Sequence, residues 1–140
     1  MESYTQLKQR HSQEFNDFKY IFFAFSNDQL AEGLVKLNAT TKDIYSIGAG
    51  GFVLKSHNQE LRDMIDRHSA ELEANNKERK FLLESLVYEL RNHEYSITYD
   101  EDDALDALGL SVEDIPADIL NKAKILALGE SEPELSEVQA

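Results

Sequence analysis

Glu89-Leu-Arg-Asn-His-Glu94 is the stretch of this 140-residue chain whose side chains are best suited to chemistry. Residues four apart share a helical face, so Glu89 and His93 would stand together. Such a pair could supply two metal ligands, or a general acid and a general base. Two ligands do not make a metal site, and the zinc pattern His-Glu-x-x-His is absent. General acid–base work needs a cleft and a shifted pKa as well. The plainer alternative is a hydrogen-bond network near a helix end, where the dipole favours a His. Glu89, Asn92, His93 and Glu94 are therefore candidates for ligand contact. No catalytic residue, metal site or cofactor is assigned, and an enzyme is the less favoured reading.

Gly48-Ala49-Gly50-Gly51 gathers three of the chain's six glycines into four positions. A dinucleotide fingerprint needs a third spaced glycine and a following helix. Here Phe52-Val-Leu54 follows, which reads as a strand. A P-loop ends in Gly-Lys-Ser/Thr, and this run ends in Gly51-Phe52. Both phosphate motifs fail. A glycine-rich turn can still present its N–H groups as a nest for an anion, with Lys42 or Lys55 nearby. Two readings stand: a tight turn between strands, or half of a small-anion pocket whose other half is Asn92–Glu94.

Acidic residues dominate the last third. Residues 91–140 hold 13 acidic and 3 basic side chains, against 14 and 11 in residues 1–90. The net charge is −13. Asp100-Glu101-Asp102-Asp103 lacks the alternation and mid-loop glycine of a calcium loop. It suits the first turn of a helix, where carboxylates meet the positive end of the dipole. With Asp106, Glu113 and Asp114 it forms the candidate partner-binding face. Such a surface repels nucleic acid and anionic membranes and steers toward a basic protein. Basic residues never cluster beyond Lys77-Glu-Arg-Lys80, too few for direct nucleic-acid binding. There is no cysteine, so no disulfide or thiol chemistry is available. The N-terminus is polar and the longest apolar run, Tyr20–Phe25, is far short of a membrane span. A cytoplasmic setting is expected.

These candidates must be held by a limited set of elements. Tyr4, Leu7, His11, Phe15 and Phe18 recur at helical spacing, which predicts a helix over 3–17. Residues 19–25 are almost continuously apolar, as in a central strand buried on both faces. Ser26 and Gln29 have the spacing of a capping box, as do Ser56 and Gln59, and each predicts a helix start. Tyr45–Ile47 and Phe52–Leu54 flank the glycines and read as a hairpin with a link of about four residues. Residues 57–93 have helical composition throughout. One helix of that length would span ~55 Å, too long for a domain of this size, so a bend is expected near Asn75-Asn76, with Asn76 as N-cap. Tyr95–Tyr99 reads as a further strand. Residues 103–108 form a short helix ending at Gly109, and a last helix runs over 117–128.

The expected fold is α+β. A small three- or four-stranded, mainly antiparallel sheet packs against several helices on one side. Residues 1–128 are expected to form a single domain, followed by an acidic tail over 129–140 whose composition is that of a flexible segment.

Three stretches carry a resemblance: Phe22–Ser26 with Gln29 and Glu32-Gly33; Ser46–Phe52 with Lys55; and Asn92–Tyr95 with Leu105–Leu110. Over residues 15–125 they resemble a family of small uncharacterised proteins encoded by bacteriophages and bacterial mobile elements. The resemblance implies no activity. It implies a setting, a bacterial host cell, and a habit of binding and blocking a host protein. The expectation is thus a non-catalytic interaction protein acting on a host protein with a basic surface, one form being nucleic-acid mimicry. A small-ligand domain using the glycine turn and Asn92–Glu94 is the alternative.

Overall fold

The computed structural model describes residues 2–129. Seven α-helices and three strands follow in the order α1 (Tyr4–Asn16), β1 (Ile21–Phe23), α2 (Asn27–Lys36), β2 (Ile44–Gly48), β3 (Gly51–Leu54), α3 (Asn58–Asn75), α4 (Arg79–Asn92), α5 (Tyr95–Thr98), α6 (Asp102–Leu108) and α7 (Ala117–Ala127). This is an α+β fold. The described residues divide into two compact units, one of residues 2–10 with 68–129, the other of His11–Arg67. The tail expected from residue 129 lies, beyond Gly129, outside the described residues.

The unit of residues 11–67 holds the sheet. Its strand order is β1-β3-β2, all antiparallel. The central strand is therefore β3, whereas the run 19–25 supplies an edge. Its continuous apolarity has another cause: its rings lie on glycines. A Cβ on Gly33 of α2 would fall 2.2 Å from the Phe22 ring, one on Gly50 2.4 Å from the Phe25 ring, and one on Gly51 3.0 Å from the Phe23 ring. Phe22 pairs with Phe52 across the strands, their rings stacked at 5.5 Å. Successive strand residues face opposite ways, so Ile21 and Val53 turn to the other face. There Val53, fully buried, packs with Leu61 and Met64 of α3 and with Phe15, Phe18 and Ile21. Helical cover thus reaches both faces.

Helix starts follow side-chain caps. Ser26 Oγ accepts from Gln29 N at 3.2 Å, and Gln29 Oε1 accepts from Phe25 N at 2.7 Å. The Ser56–Gln59 box does not form. Ser56 sits in a 3-10 turn, α3 starts at Asn58, and the Gln59 amide donates to Asp63 at 2.9 Å. A third Ser-x-x-Gln pair does form at Ser3 and Gln6, with reciprocal bonds of 2.9 and 3.2 Å.

The other unit is built on α4. Phe81, Leu82, Leu83, Leu86, Val87 and Leu90 are all buried, so α4 is apolar on more than one face and is wrapped by its neighbours. Leu105 and Leu108 of α6 and Ile119, Leu120 and Ala123 of α7 complete this core with Tyr4 and Leu7. The long helical stretch breaks after Asn75, as its lapsed periodicity requires. The residue preceding α4 is Glu78, and Asn76 is instead buried, its amide turned to Ser85. Residues 95–98 form one helical turn, α5, in place of a strand. A lone strand would leave its N–H groups unpaired; the turn directs Ile97 N and Thr98 N to Glu94 O at 2.9 and 3.1 Å. Gly109 ends α6 at φ +67°, as its position predicts.

Candidate functional site

Glu89 is the most deeply buried acidic side chain described, at 1% exposure. Four side chains approach its oxygens. The Tyr4 hydroxyl donates to Oε2, and Lys8 Nζ reaches the same oxygen at 2.9 Å. Asn92 Nδ2 and His93 Nε2 each lie 3.5 Å from Oε1. Burial and the Glu89 carboxylate hold the Tyr4 hydroxyl well above the ordinary tyrosine range. Lys8 also lies over the Tyr4 and Tyr88 rings, at 5.7 and 5.3 Å from their centroids. Glu84 accepts from Tyr4 N, one of the first-turn N–H groups of α1 that have no partner within the helix. Glu89 and Glu84 therefore bind the start of α1 to α4.

Protein side chains surround this carboxylate, Tyr4 and Lys8 on Oε2 and the longer approaches of Asn92 and His93 on Oε1. A general base needs a lone pair within reach of a substrate, and the lone pairs here meet protein donors. His93 caps α4, its N–H donating to Glu89 O at 2.9 Å. Glu94 is exposed and left-handed at φ +58°. Among the described residues, no group of three or more His, Asp or Glu side chains is placed to hold a metal ion. Lys8 and Tyr4 join this site only through the fold. Nothing local in the sequence ties them to a residue more than 80 positions away, although the Ser3–Gln6 spacing marks where that helix begins.

The glycine turn belongs to the other unit, residues 11–67. Its loop is two residues, Ala49-Gly50, both at positive φ (+51° and +79°), with Gly48 and Gly51 paired in the strands. Matched positive φ values suit the right-handed twist of a hairpin. Phe25 covers Gly50, while Ile47 and Phe23 crowd Gly51. The glycines thus admit rings and a turn. Lys55 lies over the Tyr45 ring at 5.1 Å. Gly48–Gly51 with Lys55 and Asn92–Glu94 with Glu89 consequently sit in different units.

The acidic residues are distributed over α6 and the turn after it. Asp100 and Glu101 precede α6, Asp102, Asp103 and Asp106 lie on it, and Glu113 and Asp114 occupy a 3-10 turn. Asp100, first among its acidic neighbours, raises the Asp102 carboxyl above its ordinary value. Asp114 is lowered by the Ser111 hydroxyl and N–H. From α7, Lys124 Nζ approaches this group, 3.3 Å from Glu101. Just before the acids, Ile97 and Tyr99 are 73% and 67% exposed. Tyr99 is left-handed at φ +56°, so left-handed residues bracket α5 at both ends.

A cleft of about 670 Å³ lies in the same unit, between the α3–α4 bend, the end of α6 and the start of α7. Leu82, Leu108 and Ile119 line it, with Asn76 beside them and Glu73, Asp106 and Asp114 among its polar residues. No sequence pattern announced it, because its walls come from four separate segments.

A protein-family model described as a family of unknown function, DUF7659, matches residues 3–127. The chain belongs to that family. The DUF7659 match takes in every candidate residue named above, from the hairpin to Asp114. No curated protein and no solved structure matches the chain. Among the described residues, no helix of this DUF7659 member is long and apolar enough to cross a membrane.

Proposed function

We propose that this DUF7659 member is a non-catalytic interaction protein that binds a basic protein partner through residues 97–106 and modulates it. The observation that carries this reading is the pairing of exposed apolar side chains with a run of four carboxylates, of which Glu101 meets Lys124. Ile97 and Tyr99 stand in solvent directly before Asp100–Asp103. Exposed aromatics beside charge are the usual anchors of an interface. The carboxylates supply steering and orientation toward a cationic surface. Bonds within the segment fix its shape before any partner arrives: Asp100 N donates to Thr98 Oγ1 at 3.1 Å, and Asp102 N to Asp100 Oδ1 at 2.9 Å. The resemblance to phage and mobile-element proteins supports a bacterial host protein as the target. Occupation of a nucleic-acid channel by these carboxylates is one form the binding takes.

The test compares affinity capture from bacterial lysate by the native chain and by two variants. One variant is Asp100→Asn/Asp102→Asn/Asp103→Asn; the other is Ile97→Ser/Tyr99→Ser. A partner of basic character that is recovered by the native chain, lost by both variants and released by moderate salt supports the reading. Capture that ignores both sets of substitutions and salt overturns it.

A further inference from the structure

Asn76 lines the cleft and is only 6% exposed. Half of its carboxamide is held, Oδ1 accepting from Ser85 Oγ at 2.8 Å. Nδ2 is buried with no hydrogen-bond partner. Ser85 has a single proton and a second acceptor, Leu82 O at 3.0 Å. Turning the amide over would satisfy Nδ2 and leave Oδ1 unpaired instead. In either orientation half an amide is left over, and a buried polar group without a partner destabilises. The neighbouring floor is apolar, with Leu82, Leu108 and Ile119 buried. The rim carries three exposed carboxylates, Glu73, Asp106 and Asp114. Of its two cations, Arg79 is engaged by Asp118, leaving Lys77 as the counterweight.

We propose that this cleft is the anchor pocket for an extended segment of a basic partner. An apolar side chain rests on Leu82, Leu108 and Ile119. Its peptide group pairs with the Asn76 amide, and flanking Lys or Arg side chains meet Glu73, Asp106 and Asp114. This rests on the interaction reading above and gives the partner a sequence pattern: basic, apolar, basic. A peptide group offers both a carbonyl and an N–H, so it satisfies Asn76 in either orientation. A small apolar molecule would fill the floor and leave the rim carboxylates unanswered. Because Nδ2 is covered in the free protein, entry includes a small opening at the bend Asn76–Glu78.

The probe is the capped tripeptide acetyl-Lys-Leu-Lys-amide, titrated into the full ¹⁵N-labelled chain and followed by NMR. The Asn76 side-chain amide and the Leu108–Leu110 backbone signals are expected to move and saturate, while acetyl-Glu-Leu-Glu-amide leaves them in place. Glu73→Gln/Asp106→Asn changes two exposed side chains and should weaken binding by roughly three- to tenfold. Asn76→Ala should weaken it further with the fold intact, since Ser85 keeps Leu82 O. Absence of saturable movement, equal response to both tripeptides, or equal response to acetyl-leucine-amide overturns the anchor pocket. Movement confined to Asp100–Asp103 overturns it too, while leaving the acidic interaction reading standing. Tripeptide binding in the cleft, with lysate capture indifferent to Asp100–Asp103, counts against that reading alone.

Discussion

The Tyr4 hydroxyl donates to the Glu89 carboxylate across 85 positions of sequence, and both groups are buried. Removing one partner of a buried hydrogen bond costs more than the bond contributes, because the other is left unpaired. Tyr4→Phe leaves Lys8 and Asn92 on Glu89, so a loss of about 1–2 kcal/mol is expected. Glu89→Leu strands the buried Tyr4 hydroxyl, while the half-exposed Lys8 turns to water, and should cost about 1–3 kcal/mol. Urea unfolding monitored by circular dichroism measures both. A Glu89→Leu protein as stable as the native one would show that the carboxylate holds nothing.

The same bond sets an alkaline limit. Tyr4 titrates above its unfolded value of about 10. The unfolded chain therefore gives up this proton first as pH rises, and the native state binds more protons there. Stability from this group is fully present below about pH 10 and declines above it. Tyr4→Phe should flatten that decline. Unfolding midpoints measured from pH 8 to pH 11 for both proteins check the sign.

Gly33 lies inside α2, where alanine would ordinarily gain about 1 kcal/mol. Its Cβ would enter the Phe22 ring. Gly33→Ala should instead destabilise by about 1–3 kcal/mol, the range for overpacking. Phe22→Leu, which removes the ring, should make the same alanine far less harmful. A double-mutant cycle measures that coupling.

Ala49 occupies a left-handed turn position at φ +51°. Asparagine followed by glycine is the favoured pair in such two-residue hairpin loops. Ala49→Asn should raise stability by roughly 0.5–1 kcal/mol, part of the ~1–2 kcal/mol that an L residue loses there. Thermal unfolding reads the gain; a lower midpoint would contradict the turn geometry.

Asp102 and Asp114 should titrate on opposite sides of the ordinary aspartate value. Asp114 is lowered by the Ser111 hydroxyl and N–H, so its contribution to stability is present above the unfolded pKa and fades as pH falls through the folded one. Asp102 is raised, chiefly by Asp100. Carboxyl ¹³C shifts followed with pH should place the two midpoints in that order. Ser111→Ala should raise the Asp114 midpoint, and Asp100→Asn should lower that of Asp102.

Local patterns were legible in the sequence. The Ser26–Gln29 cap, the hairpin, the bend after Asn75 and the Gly109 terminus all follow from spacing within a few residues. Long-range relations were not. Nothing local in the run 19–25 shows that its rings rest on glycines, so it looks like a central strand. Tyr95–Tyr99 has strand-forming residues, but β propensity depends on a neighbour, and among the described residues its own unit contains no strand to pair with it. Glu89 and His93 were seen as a pair; that Tyr4 and Lys8 complete their surroundings is a property of the folded chain. The cleft has no local signature for the same reason, and Asn76, whose position suits a cap, is its buried polar wall.

Tyr4 and Leu7 belong to a unit whose remaining residues begin at His68, whereas residues 11–67 form a continuous stretch. During synthesis the first helix leaves the ribosome with its own contacts still untranslated, and it must wait until residue 89 has emerged before Glu89 can receive Tyr4. The intervening unit has all its residues by then. Joining Tyr4 to Glu89 closes a loop more than 80 residues long, so changes to α1 should slow refolding as well as lower stability.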